Sequence, residues 1–200
     1  MKKSILALAV VAFVQGFALH ASAATLTFES LASADGTVGF SRTYTEQGFK
    51  LDDITTTSDY GFSVWGTSNP FFSGSTALIN DNDTGSTLLT QVGGGAFNMT
   101  SIDLTVMYPG STEDGANVTF GGVKTDGTLV SQTFHVTDTG TQTFSFSGFT
   151  NLTSVTWSND PMYHQFDNIY VTAVPEPESY AMLLAGIGLM GVIARRRRLG

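Results

Sequence analysis

Two groups of side chains in this sequence could do chemistry, carboxylates and aromatics. Asp81-Asn82-Asp83-Thr84-Gly85 gathers two carboxylates and an amide in a tight turn. Calcium loops open with this oxygen-rich pattern, but no Glu closes it at EF-hand spacing. An Asx-rich hairpin turn needs the same residues for its own hydrogen bonds. Glu29, at the end of the first strand, and Asp167, in the last, form a second pair. If those strands lie side by side, the pair suits a structural Ca2+ rather than a catalytic ion. Asp167-Asn168 can equally supply turn or ladder-edge hydrogen bonds. Among aromatics, Tyr60, Phe62, Trp65, Phe71 and Phe72 fall within one short stretch rich in Gly, Ser and Asn. Aromatic faces stack on sugar rings, and Asn or Asp takes the hydroxyls. A β core uses aromatics too, so one face of this stretch belongs inside. Trp157, Tyr163 and His164, in or beside a 158–165 loop, could line the same rim. Tyr60, Trp65 and Tyr163 are the glycan-binding candidates, Trp65 and Tyr163 foremost as an exposed platform.

No constellation predicts catalysis. The three histidines are His20, His135 and His164, and there is no cysteine. Nucleophile elbow, His-Glu-x-x-His and Gly-rich phosphate loop are all missing. Asp52-Asp53 and Glu113-Asp114 are adjacent in sequence, which loop solvation explains better than a pair opposed across a cleft. The reading is a non-enzyme without catalytic residues.

The elements that must position these residues are short strands. Thr25–Phe28 alternates polar and apolar. Candidates follow at 47–51, 58–65, 75–79, 86–92, 102–106 with Phe97 ahead of it, 117–123, 129–136, 142–146, 152–157 and 166–171, punctuated by Gly, Asn and Asp. No window outside the chain ends holds a 3.6-residue period. Twenty-two glycines and a Thr/Ser-rich texture agree with an all-β, antiparallel β-sandwich of jelly-roll type with eight to ten strands.

The ends differ from this middle. Lys2 and Lys3, the apolar run 5–14 and Ala21-Ser22-Ala23 have the order of a secretory signal peptide cleaved after Ala23, with Ala21 and Ala23 as the small-residue box. The Sec translocon and signal peptidase are therefore expected partners. The domains are residues 1–23, a passenger at 24–173, and a tail at 174–200. Between the ends stand Arg42, Lys50 and Lys124 against fifteen Asp and Glu, a formal charge of −12. Such a surface repels nucleic acid and anionic lipid.

The tail reads Val174-Pro175-Glu176-Pro177, then an apolar helix over 180–194, then Arg195, Arg196, Arg197 and Arg198. Fifteen helical residues span about 22 Å, short of a hydrocarbon core of roughly 30 Å, although arginine stems can snorkel to extend the reach. A transient inner-membrane helix is the expectation. Motif, helix and arginines in this order resemble the PEP-CTERM sorting tail, which also goes under an ice-binding C-terminal name that says nothing of what the passenger binds. The resemblance implies recognition by an exosortase in a Gram-negative, exopolysaccharide-producing bacterium, and delivery to the cell surface or extracellular matrix.

Gly95-Ala96-Phe97, Ser101-Ile102-Asp103-Leu104, Gly122 through Asp126-Gly127, and Phe166-Asp167-Asn168-Ile169 resemble the jelly-roll passengers of such proteins, similar in layout to carbohydrate-binding modules. Expected, then, is a non-enzymatic surface or matrix protein associated with exopolysaccharide and biofilm. The alternatives are a calcium-stabilised carbohydrate-binding module and, more distantly, a glycoside hydrolase.

Overall fold

A computed structural model describes residues 22–55, 59–82, 84–108, 115–137, 140–159, 163–175 and 177–198. Ser22–Val174 forms one compact unit. Its strands are β1 (Ala23–Leu26), β2 (Thr37–Ser41), β3 (Thr43–Glu46), β4 (Phe49–Asp53), β5 (Tyr60–Trp65), β6 (Leu78–Asn80) and β7 (Ser86–Gln91). There follow β8 (Phe97–Val106), β9 (Ala116–Lys124), β10 (Leu129–Val136), β11 (Gln142–Ser145), β12 (Leu152–Ser158) and β13 (His164–Ala173). A 3-10 turn covers Glu29–Leu31. Every pairing is antiparallel.

The pairings resolve into two layers. One runs β10-β9-β12-β7-β4-β3, the other β2-β5-β6-β13-β8-β11, with β1 on β13 beyond the end of β6. A single rung, Leu152↔Phe97, links the layers. Side chains alternate along a strand, so each layer turns one apolar face inward. Trp157 of the first layer meets Phe166 of the second edge-on, ring centroids 5.1 Å apart. Phe49 and Phe97 do the same at 5.5 Å. Phe120, Phe134, Phe146 and Phe149 fill one end of the core, and Phe28, Tyr44 and Phe62 the other. The architecture is the all-β sandwich expected from the alternation.

Strand limits shift where polar residues are buried. β2 and β3, which the sequence reads as loop, form a continuous run that steps between the layers at Arg42. Glu46 takes an inward position, and its carboxylate accepts the Thr27 and Phe28 amides at 3.2 and 3.1 Å. Tyr44 donates to the same carboxylate at 3.3 Å, and burial of the phenol raises its pKa. His164 and Gln165, expected in a loop, open β13 and are fully buried.

The C-terminal helix α1 spans Pro177–Arg198, three residues earlier and four later than the apolar run. Among the described residues no helix is long and apolar enough to cross a membrane. The expected transmembrane helix is corrected on that ground: four arginines occupy its last turn, and the apolar part is too short.

Candidate functional site

The side chains of interest collect on the outward face of the second layer. Val64, Leu78, Phe166 and Leu104 are level in neighbouring strands and point inward. The next residue along each strand must point outward, which puts Trp65, Asp167 and Asp103 in one row across β5, β13 and β8. Antiparallel pairing of β11 adds Thr143 opposite Asp103.

The connection from β5 to β6, residues 66–77, folds over this face. Gly66 starts it: a Cβ there would sit 1.5 Å from the Asp35 carbonyl oxygen, so only glycine fits. Asn69 accepts the Phe71 amide at 2.8 Å in an Asx turn. Gln165, outward but buried, donates its amide to the carbonyls of Phe71 (3.0 Å), Met107 (3.3 Å) and Val106 (3.4 Å). One side chain thus ties the connection to the end of β8.

This brings three rings together. Trp65 lies 6.2 Å from Phe71 and 6.3 Å from Tyr108, and Phe71 and Tyr108 are 5.0 Å apart. Tyr108 is 43% exposed, and Trp65 and Phe71 are half-buried. The planes are inclined by 51°, 44° and 76°, so the rings form a faceted cap and not a flat platform. Tyr163 is half-buried beside them, its carbonyl accepting the Met107 amide at 3.2 Å. Tyr60 stands apart. It is 69% exposed, but it lies five positions along the strand from Trp65, about 17 Å. Trp157, read as a rim residue, is a core side chain. Tyr108 escaped the sequence reading; its only signal is an aromatic residue at the end of a strong strand before Pro109-Gly110.

The far end of the same connection meets the carboxylates. Ser75 donates to Asp167 at 2.5 Å, and Thr76 offers its amide and hydroxyl to Glu29 at 3.1 and 3.0 Å. Asn168, in the left-handed region at φ 46°, turns its amide onto Asp103 (2.9 Å) and its backbone N–H onto Asp167 (2.7 Å). Thr143 donates to Asp103 at 2.6 Å. Pairing of β1 with β13 therefore gathers Glu29 and Asp167, as the sequence anticipates, and Asp103 joins them. Burial is the main cause that raises Asp167 to about 6. The donors Ser75 and Asn168 oppose it, and the charges of Glu29 and Asp103 add to it. Six protein donors already engage these carboxylates. Among the described residues no group of three or more Asp, Glu or His is arranged to hold a metal ion.

Asp81 follows β6 in a turn knit by amides. Asn82 donates to Asp53, Asn80 to Thr87 at 3.2 Å, and Asn159 to the carbonyls of Asn80 and Asn82 at 2.5 and 3.1 Å. Burial raises the pKa of Asp81. Ala21, Asp83 and Glu176 lie outside the described residues. Ala23 is the first residue of β1, and Val174 donates its N–H to Ala96 at 2.7 Å. Arg195 and Arg196 are exposed on α1.

In the chain the β-sandwich is followed by a helix that ends in arginines. Residues 173–198 match the family model of the PEP-CTERM protein-sorting motif. The C-terminal end of the chain thus carries a PEP-CTERM protein-sorting motif, which marks an exported protein; ice binding forms no part of that description. No curated protein matches the chain. Among solved structures it is similar to the xylan-binding domain CBM22-1 of Xyn10C from Paenibacillus barcinonensis, at 13% identity and a TM-score of 0.40, over 78% of this chain and 97% of that one. A mutant of a family 29 carbohydrate-binding module gives 11% identity, a TM-score of 0.38, and 79% and 99% coverage. At these scores the likeness identifies neither a ligand nor a site.

Proposed function

We propose that this protein is a non-enzymatic surface or matrix component that binds neutral polysaccharide through the cap formed by Trp65, Phe71 and Tyr108. The carrying observation is the convergence of three partly exposed rings from separate segments on one outward sheet face. Apolar side chains that only needed burial would have reached the core a few ångströms away. A sugar ring can stack on the exposed facet of Tyr108, whose phenol can exchange hydrogen bonds with the sugar hydroxyls. The inclined planes suit a single, twisted polysaccharide chain, because a flat crystalline surface needs coplanar rings. A passenger with fifteen acidic and three basic residues disfavours polyanionic ligands, leaving neutral exopolysaccharide as the matching class.

Delivery by the sorting tail agrees with this reading, since a matrix protein must first leave the cytoplasm. The test is affinity electrophoresis of residues 24–174 through gels cast with neutral or acidic polysaccharides. Retardation by a neutral glycan is expected, with at least a tenfold loss of affinity in Tyr108→Ala and no change in Tyr60→Ala. Equal retardation of both variants, or retardation only by acidic polymers, refutes the assignment.

A further inference from the structure

We infer that the signal-peptide cleavage site is built into the sheet, so that folding of the sandwich and removal of the leader exclude one another. The Ala-x-Ala box places the scissile bond between Ala23 and Ala24. In the folded sandwich both residues are rungs of the β1–β13 ladder, Ala23 opposite Thr172 and Ala24 opposite Val171. On the leader side of the bond, the Ser22 carbonyl accepts the Ala173 N–H at 3.1 Å. A protease reads residues around its bond as an extended strand, through their free N–H and C=O groups. A strand already paired on a sheet cannot offer those groups.

β1 is also anchored beyond the bond. Leu26 and Phe28 are fully buried, and the amides of Thr27 and Phe28 are held by Glu46. Peeling β1 away would draw two large side chains out of the core and strip the Glu46 carboxylate of its donors. Timing supplies the means of escape. The partner strand, His164–Ala173, is the last of the sandwich, and its first residue follows Ala24 by 140 positions (164 against 24). The bond is open while the chain emerges and closes when β13 arrives. Cutting removes only the Ser22 and Ala23 rungs, so the mature strand keeps Ala24, Thr25 and Leu26 in register.

The experiment uses the full chain refolded in detergent micelles and a synthetic peptide of residues 1–40, each incubated with purified signal peptidase. The peptide is expected to be cut between Ala23 and Ala24, and the folded chain at least tenfold more slowly. Leu26→Ser in the full chain, three residues past the bond and outside the Ala-x-Ala box, is expected to recover a rate within threefold of the peptide. Equal rates for peptide and folded wild type overturn the inference, as does a mature N-terminus other than Ala24. Should Leu26→Ser not fold, amide exchange in the folded wild-type chain decides. Protection of Ala24 and Thr25 like that of Val171 supports the inference, and free-chain exchange rates overturn it.

Discussion

Replacing Asp167 with Asn should make the sandwich more stable at neutral pH and leave it unchanged in mild acid. Asp167 is 3% exposed and has a folded pKa of about 6 against an ordinary 3.8. A raised pKa means that the native state holds a proton the unfolded state has released. Between those two values the native state binds more protons, so stability falls as pH rises and has fallen in full above about 6. Two pKa units correspond to about 3 kcal/mol at most. The effective dielectric of even a buried site screens part of this, so about 1–2 kcal/mol is the expected measured difference. Asn keeps an acceptor for the Asn168 N–H and carries no charge toward Glu29 and Asp103. Thermal melts of residues 24–174 at half-unit steps from pH 4.5 to 7.5 are the assay. Wild type should lose roughly 3–6 °C across the window, and Asp167→Asn should lose less than half as much. Asp81, whose pKa is also raised, contributes the same sign and accounts for the residue. Asp126 is lowered by the Thr128 amide, so its contribution is lost only as pH falls below the ordinary carboxylate range, outside the window. Parallel slopes for the two proteins, or an Asn variant less stable than wild type at pH 7.5, would refute the reasoning.

Three further outcomes follow from the same contacts. Calcium at 5 mM and pH 7.5 should move the wild-type Tm by less than 1 °C, because six protein donors already engage the carboxylates; a rise of several degrees, lost in Asp167→Asn, would install the ion suggested by Glu29 and Asp167. Gln165→Leu strips donors from three carbonyls and should cost about 1–3 kcal/mol in urea unfolding, with glycan affinity falling alongside; unchanged affinity would show that the cap does not depend on this tie. Alanines in place of Pro175, Glu176 and Pro177 should leave an uncleaved, cell-retained precursor on immunoblots, and normal processing would sink the sorting assignment.

What the sequence disclosed depended on whether a residue's environment was local. Alternation marked β9 and β10 almost to the residue, because one apolar face suffices there, and it marked the second half of β8. β3 and the start of β13 were hidden for one physical reason. Glu46 is half-buried and Gln165 fully buried, and these polar residues are acceptable there only through donors and carbonyls supplied from distant segments. The pairing of Glu29 with Asp167 was legible because it follows from first and last strands lying together. The cap was half legible: Trp65 and Phe71 are near in sequence, but Tyr108 joins them only because Gln165 fastens two loops to each other.

β13 carries a further consequence. It lies between β8 on one side and β6 with β1 on the other, and the polypeptide leaves it directly into the sorting tail. When the sandwich is pulled by its C-terminal end, tension enters along the axis of this interior strand. Rungs on both flanks must then shear together, where a strand pulled sideways would unzip them one at a time. The chain therefore leaves the sandwich at its mechanically strongest point, and single-molecule pulling from the C-terminal end of β13 should meet a higher unfolding force than pulling through a handle on the edge strand β2.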